Sequence, residues 1–416
     1  MEHVISKTAV PSRPLITNLN SLLQDIYVRY VALKEEEFRL HYRVFTEIFQ
    51  ELQDKMKEAD KYYERYASDV KYAGSHYDNI RIKKPDEFDM IIVIDIPVNM
   101  DVDPLGFPSD IEIKPQFPGY VQLRGGVQYR NLPIRDGVDG QVNMTAYNWM
   151  DKKNFILSSK FISWFKGVGA KALNKFKQID SKPVYTVDGV VYTIGTTEAG
   201  PAWTIQIEAP GFHLDVDLVP ALKFPESRWL RGKRIRPIPP KCRKSYWIVV
   251  AKPNKEGKTE HDTLRSWRIG MQDQEREFLN NTYALRQTMR LVKQLRDAEE
   301  LHKLTSYYIK NVFFCEIAAL GKNHPKFWET KDIATLFKHM VEKLYSALMD
   351  KRIPYFWNRR QNFIKNVNTV TIYQYQSKIR ELRNILAIPS RYREVAKFLL
   401  SPSEYDEYQK VLKLAK

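Results

Sequence analysis

Gly74-Ser75-His76-Tyr77-Asp78, followed by Pro85-Asp86-Glu87-Phe88-Asp89-Met90-Ile91-Ile92-Val93-Ile94, is the stretch on which the fold turns. Eleven residues separate Ser75 from Glu87, and the acid–hydrophobic–acid triplet Glu87-Phe88-Asp89 runs directly into an apolar, β-branched segment. Residues two apart on an extended strand point to one face, so Glu87 and Asp89 share a face. The same alternation recurs in His213-Leu214-Asp215-Val216-Asp217-Leu218-Val219, where Asp215 and Asp217 share a face. If the two strands pair, three or four carboxylates converge, and like charges so close repel unless a cation lies between them. A pair of divalent ions answers that repulsion and clamps a triphosphate for in-line displacement. A Gly-Ser turn just upstream offers backbone N–H groups and a hydroxyl to phosphate oxygens. These are the parts that nucleotidyl transfer requires. The alternative is a surface strand with acids on its exposed face. It fits poorly, because Ile91–Ile94 reads as buried on both sides and buried strands rarely carry two free carboxylates.

The rest of the chain is consistent with a large soluble enzyme. Its 416 residues, 43% hydrophobic and 12% aromatic, suffice for two or three domains or one bilobal unit. No apolar run approaches the length of a membrane span, and the first fifteen residues hold no apolar core of signal-peptide length. Cys242 and Cys315 are the only cysteines, which excludes a disulfide framework and a cysteine-based zinc site, so a cytoplasmic location is expected. The net charge of +16 is unevenly spread: Lys223–Lys244 carries nine basic residues against Glu226 alone, and Lys152–Lys177 carries seven lysines. Such a field attracts polyphosphate, most often a nucleic acid backbone.

Residues 1–14 read as a flexible arm. From Leu15 to Ala73 there is no Pro or Gly, and Phe45, Ile48, Phe49, Leu52 and Met56 recur at helical spacing, predicting one long spine helix or two end to end. Residues 75 to about 250 predict strands at Ile80–Lys83, Asp89–Ile96, Val184–Thr193, Trp203–Glu208, His213–Pro220 and Tyr246–Ala251, with a helix over Ala146–Leu173. Beyond a polar, Gly/Pro-bearing boundary at 252–261 the sequence reads as helical from Asp262 to the end, with apolar sets Leu285, Met289, Val292, Leu295 and Ile333, Phe337, Met340, Leu344. The expectation is an α+β, bilobal nucleotidyltransferase fold. Residues 15–255 form the spine helix and a core lobe whose mixed sheet carries the catalytic acids, and residues 256–416 form a helical lobe.

The Gly-Ser and Glu87-Phe88-Asp89 pattern is similar to the signature of the DNA polymerase β-like nucleotidyltransferases. With Val216-Asp217-Leu218-Val219-Pro220-Ala221-Leu222 it resembles, more closely, cyclic GMP–AMP synthase and the animal cyclic GMP–AMP synthase-like receptors. Spacing leaves Asp215 and Asp217 equivalent; the resemblance places the third metal ligand on Asp217 and gives Asp215 a supporting part. It thus implies Glu87, Asp89 and Asp217 as catalytic ligands of two Mg²⁺ or Mn²⁺ ions. Ser266-Trp267-Arg268-Ile269-Gly270-Met271 resembles a Trp-Arg segment of the family, which implies that Arg268 approaches a base and phosphates. Gly270 stands where the vertebrate enzyme has a serine. Gly74, Ser75, Glu275, Lys293, Ser306, Tyr307 and Lys310 are the remaining nucleotide contacts the resemblance implies. The vertebrate zinc thumb between the Trp-Arg segment and the lysine helix is missing, since Leu279-Asn280-Asn281-Thr282-Tyr283 has no cysteine. The pattern therefore resembles insect receptors without zinc, for which the family implies activation by double-stranded RNA rather than DNA. A-form RNA is recognised by shape, phosphates and 2′-hydroxyls. Lys55, Lys57 and Lys61, with Arg65, and Lys152, Lys153, Lys160, Lys166 and Lys171 are the expected RNA platform. His213 shares the parity of Asp217 but is expected to be solvent-facing or satisfied by neighbours.

The reading that results is an RNA-activated synthase joining ATP and GTP into a cyclic dinucleotide for innate immune signalling, with assembly on RNA a further expectation. A nucleotidyltransferase making linear oligonucleotides is the rival among enzymes. A catalytically inactive nucleic-acid-binding scaffold is the rival outside them, and the presence of all three acids argues against it.

Overall fold

The computed structural model describes residues 16–101, 109–134, 138–197, 202–254, 257, 259–280 and 282–414. The expected flexible arm, 1–14, lies outside them. The chain divides into two compact units. The sheet unit comprises Arg39–Tyr77 and Pro85–Glu275; the helical unit comprises the chain up to Phe38, Asp78–Lys84 and Arg276–Lys416.

Among the described residues the sheet unit is built on one mixed sheet of eleven strands. In chain order these are β1 (Ala67–Ala73), β2 (Glu87–Ile94), β3 (Ile111–Pro115), β4 (Tyr120–Gly125), β5 (Lys177–Ile179), β6 (Lys182–Val187), β7 (Val190–Thr197), β8 (Trp203–Ala209), β9 (Phe212–Pro225), β10 (Tyr246–Val250) and β11 (Trp267–Gly270). The main path runs β3-β4-β11-β10-β9-β8-β7-β6-β5, while β2 pairs with both β1 and β9. β9 is long enough, at fourteen residues, to pair with β8 through its first half and β10 through its second. The β2–β9 pairing is parallel and sets Glu87 opposite Asp215 and Asp89 opposite Asp217. Met90 to Ile94 are all buried, as the unbroken apolar run requires. On one side of β2, Phe88 stacks on Phe45 of the helix Glu35–Ala59, ring centroids 4.6 Å apart. On the side that carries the acids, Ile91 packs with Ala73, Ala221, Ile248 and Val250. The acids thus sit at the edge of a buried apolar floor.

Several local expectations differ from the structure. The segment Leu15–Ala73 is not continuous helix. Leu19–Ile26 is followed by a π-helical turn Tyr27–Val31, then Glu35–Ala59 and Lys61–Tyr66, and the last seven residues are β1. Asp60 restarts the helix, its side chain accepting from the Tyr63 N–H, which is an N-cap hidden inside the apolar periodicity. β1 forms because β2 offers an antiparallel edge from Ala67↔Ile94 to Ala73↔Asp89, a tertiary pairing that outweighs local helix propensity. Ile80–Lys83 is not a strand. It runs as irregular chain in the helical unit, where Ile80 and Ile82 are buried and the Lys83 N–H donates to the Val31 carbonyl. Val184–Thr193 is two strands, folded back at Asp188-Gly189, both with positive φ (51° and 79°), as an Asp-Gly hairpin turn demands. Ala146–Leu173 is broken: one helix ends at Tyr147 and the next is Ser158–Leu173, with Asn154 at φ 65° between them. Trp267–Gly270, read as helical, is β11.

The helical unit has the expected apolar stripes inside. Leu285, Met289, Val292 and Leu295 of Tyr283–Ala298 are buried, as are Ile333, Phe337, Met340 and Leu344 of Ile333–Met349. Side-chain caps by Thr305, Asp332 and Asn368 start the helices Ser306–Leu320, Ile333–Met349 and Thr369–Leu386.

Candidate active site

Three carboxylates meet where β2 and β9 run side by side. Glu87, Asp89 and Asp217 each offer an oxygen within 4.8 Å of the others, and all three are half-buried. The register explains the convergence, because Asp89 and Asp217 are direct cross-strand partners and Glu87 lies two residues along the same face. Burial comes first in raising the Asp217 carboxyl above the usual carboxylate range, with Glu87 and Asp215 adding repulsion, while the Thr204 hydroxyl, donating at 2.5 Å, works the other way. An all-oxygen donor set of three carboxylates suits a hard divalent ion such as Mg²⁺ or Mn²⁺.

Gly74 is required by geometry. It follows β1 at the point where Ala73 opposes Asp89, has φ +73°, and a Cβ built there would lie 1.6 Å from Asp89 Oδ2. Only glycine lets the backbone of the Gly-Ser turn lie against the carboxylate. Ser75 and His76 continue from it in the short helix Gly74–Tyr77, and the His76 ring packs on Phe88, 4.8 Å between centroids.

Asp215 stands apart from the three-acid group. It accepts from Gln206 Nε2 at 3.2 Å and lies 3.4 Å from His213 Nε2; His213 is half-exposed and also faces Glu208. Sequence reasoning missed Thr204 and Gln206. The Pro210-Gly211 turn between β8 and β9 carried the signal, since it fixes a register in which Thr204 faces Asp217 and Gln206 faces Asp215.

The other residues singled out in the sequence fall in both units. In the sheet unit, the Arg268 guanidinium lies over the Tyr120 ring at 5.5 Å. Trp267 beside it is buried and donates to the Ile156 carbonyl. Gly270 is packed so that a Cβ would meet Ile248 and the Gln272 side chain at 2.8 Å, and Glu275 is buried. In the helical unit, Lys293 is buried and donates to the Ile80 carbonyl at 2.8 Å. Burial pushes its ammonium pKa down to about 7, with Arg296 and Arg81 adding repulsion. Lys310 is buried against Asp78 at 2.5 Å, and Arg276 approaches the same carboxylate at 3.7 Å. Ser306 accepts from Arg296 at 2.8 Å, and Tyr307 packs against Phe363 and Tyr355.

The two basic segments of the sheet unit are neighbours. Lys55 lies 5.4 Å over the Phe176 ring, Lys175 pairs with Glu58 at 3.4 Å, and the Trp164 indole donates to Asp60. Lys55, Lys57 and Lys61 are paired with Glu51, Asp54 and Glu64, and Lys160 donates to the Asn148 carbonyl. Lys152, Lys153 and Lys171 are exposed, and Lys166 is half-buried.

A parallel strand pair presenting three acids beside a glycine-serine turn defines a nucleotidyltransferase site, and comparison with known proteins agrees. Residues 76–281 match the Mab-21 protein nucleotidyltransferase domain, and residues 284–381 match the Mab-21 protein HhH/H2TH-like domain. A cyclic GMP-AMP synthase-like receptor of Ctenocephalides felis is 30% identical over 387 residues, covering 89% of this chain and 86% of that protein. Receptors of the same name from Aethina tumida and Tribolium castaneum are each 27% identical, covering 87% of this chain and 86% and 87% of theirs. The chain belongs to the Mab-21 nucleotidyltransferase family, among the insect cyclic GMP–AMP synthase-like receptors. No helix among the described residues is long and apolar enough to cross a membrane.

Proposed function

We propose that the protein is a metal-dependent nucleotidyltransferase that, on binding double-stranded RNA, joins ATP and GTP into a cyclic dinucleotide of the cyclic GMP–AMP type, a second messenger of innate immunity. The observation that carries this reading is the meeting of Glu87, Asp89 and Asp217 within 4.8 Å, with the Gly74 backbone against Asp89. It is further supported by the relatives, which are named as cyclic GMP-AMP synthase-like receptors. In each of two successive transfers a ribose hydroxyl oxygen gives up its proton and bonds to the α-phosphorus of a triphosphate, the bond to the bridging oxygen breaks, and one pyrophosphate leaves. Glu87, Asp89 and Asp217 would hold two Mg²⁺ or Mn²⁺ ions, which when bound supply activation of the hydroxyl and charge stabilisation of pyrophosphate. Thr204 keeps one Asp217 oxygen occupied, which fixes the direction of the other. Gly74 and Ser75 hold phosphate oxygens through an N–H and a hydroxyl. Positioning and charge stabilisation together account for catalysis.

The proposal keeps Arg268, Glu275, Ser306 and Tyr307 as further nucleotide contacts. Lys293 and Lys310 join them on one condition, that each exchanges its present partner, the Ile80 carbonyl or Asp78, for phosphate. Duplex RNA is assigned to the lysine-bearing faces of Glu35–Ala59 and Ser158–Leu173 and to the turn before the latter; Lys171 is exposed on the second helix and Lys152 and Lys153 are exposed on the turn. The test is incubation with ATP, GTP and Mg²⁺ or Mn²⁺, with duplex RNA, duplex DNA or neither, followed by mass and nuclease-digestion analysis. A cyclic dinucleotide formed only with RNA is the expected result. A linear product, or equal turnover without RNA, overturns the product or the trigger respectively.

A further inference from the structure

From Lys351 to Arg380 the chain carries seven basic residues and no acid, with Asp350 at its edge. This stretch lies in the helical unit, and none of its residues is assigned to nucleotide or RNA, although Tyr355 and Phe363 pack on Tyr307. Its first part is a tightly folded loop. The Lys351 and Arg352 N–H groups close the end of Ile333–Met349 by donating to Leu348 and Ala347, and Lys351 takes φ 49°. Asn362 then ties the loop together, its Oδ1 accepting from the Ile353 N–H at 3.0 Å and its Nδ2 donating to the Lys351 carbonyl at 2.9 Å. The Arg352 guanidinium donates to the Arg359 carbonyl at 2.6 Å, which draws the Lys351-Arg352 and Arg359-Arg360 pairs together. Lys351, Arg352, Arg359 and Arg360 are all exposed, and none has an acidic partner among the described residues.

Large apolar side chains are exposed on the same patch. Met349 is 51% exposed, Val370 66% and Tyr373 56%. Lys351 sits 4.9 Å over the Tyr373 ring, which joins the loop to the helix Thr369–Leu386. Val370, Tyr373, Ser377 and Arg380 recur at helical spacing and are all exposed, so one helix face about 15 Å long runs from apolar to basic. Exposed apolar groups ringed by unpaired cations are mismatched to water and to a nucleic acid backbone, which offers phosphates but no apolar medium. An anionic bilayer offers both, headgroup phosphates to the arginines and an acyl boundary to Met349, Val370 and Tyr373.

We propose that this face docks the protein peripherally on membranes rich in anionic lipid. Each basic side chain held near such a surface contributes about fivefold in binding, so Arg359→Ala with Arg360→Ala lowers it about 25-fold. The experiment is co-sedimentation of the full chain with vesicles of phosphatidylcholine alone and with 3:1 phosphatidylcholine:phosphatidylserine, at physiological ionic strength. Because the whole chain is basic, Lys322→Ala with Lys326→Ala, exposed lysines elsewhere in the same unit, is the charge-matched control. The proposal predicts binding only to the serine-lipid vesicles, the stated loss in the arginine pair, and recovery in Arg359→Lys with Arg360→Lys. It also predicts a further loss for Val370→Ser with Tyr373→Ser that low salt does not restore. No dependence on phosphatidylserine, or equal losses in the lysine control and the arginine pair, overturns it. A fall in duplex RNA binding with vesicle binding unchanged also overturns it and makes the face a nucleic-acid contact.

Discussion

Asp217→Asn should stabilise the metal-free protein while abolishing its response to metal. The three carboxylate oxygens lie within 4.8 Å of one another. Two unit charges at that distance repel by about 3.5 kcal/mol at an effective dielectric of 20 and by about 0.9 kcal/mol in bulk water. Asp217 is half-buried, so removing its charge relieves about 1–2 kcal/mol after solvent screening. An Asn Oδ1 still accepts the Thr204 hydroxyl, so little is lost in exchange. For a unit of this size the gain corresponds to a rise in melting temperature of about 3–6 °C. The sign follows from linkage. The folded state raises the Asp217 pKa, so it holds the proton more tightly than the unfolded chain, and ionisation costs stability as pH rises through the carboxylate range. The gain is therefore present at neutral pH and vanishes below about pH 4, where the carboxyl is protonated in both states. Thermal melts of wild type and Asp217→Asn in chelator and in Mn²⁺ make the assay. Wild type gains stability with Mn²⁺ by mass action and the variant does not. A variant less stable than wild type in chelator, or one that keeps the full Mn²⁺ shift, would refute the reasoning.

Gly74→Ala should keep the fold but lower turnover by about 10²-fold, because its Cβ must push Asp89 aside from 1.6 Å; activity against a circular dichroism melt separates the two effects. Asp78→Asn removes the buried carboxylate charge that faces Lys310 and Arg276 and should cost about 3–5 kcal/mol in urea unfolding, part of it recovered by adding Lys310→Met. Lys293 is held near pKa 7 in the fold and near 10.4 when unfolded, so its contribution makes stability rise between about pH 7 and 10. Lys293→Met should flatten that rise by up to about 1.4 kcal/mol per pH unit, read as the difference between urea melts at pH 6.5 and 9.5.

How much of this was legible in the sequence varies with how local the cause is. The acids of β2 and β9 could be read because alternation is a property of each strand alone, and the parallel pairing then had one register that aligned them. Spacing alone left Asp217 and Asp215 equivalent, and only the family resemblance separated them. Their different neighbours, Thr204 at Asp217 and Gln206 at Asp215, come from β8, reached through the Pro210-Gly211 turn. β1 was hidden because nothing local stops the helical periodicity at Tyr66; its strand form is imposed by the free edge of β2. The Asp188-Gly189 hairpin was missed inside a single expected strand, although that dipeptide is a strong turn signal between alternating segments. The apolar stripes of Tyr283–Ala298 and Ile333–Met349 were legible because a helix buries a face that its own spacing defines. The engagement of Lys293 with the Ile80 carbonyl and of Lys310 with Asp78 was not, because both partners come from a short irregular segment that no periodicity marks.

The account rests on Glu87, Asp89 and Asp217 acting together as a metal-holding nucleotidyl-transfer site. The most direct test is pyrophosphate release from ATP and GTP with Mg²⁺ or Mn²⁺ and duplex RNA, comparing wild type with Asp89→Asn/Asp217→Asn, alongside RNA binding by both proteins. The account predicts release and a dinucleotide product from wild type, neither from the variant, and equal RNA binding by the two. Product formation that persists in the variant would contradict it.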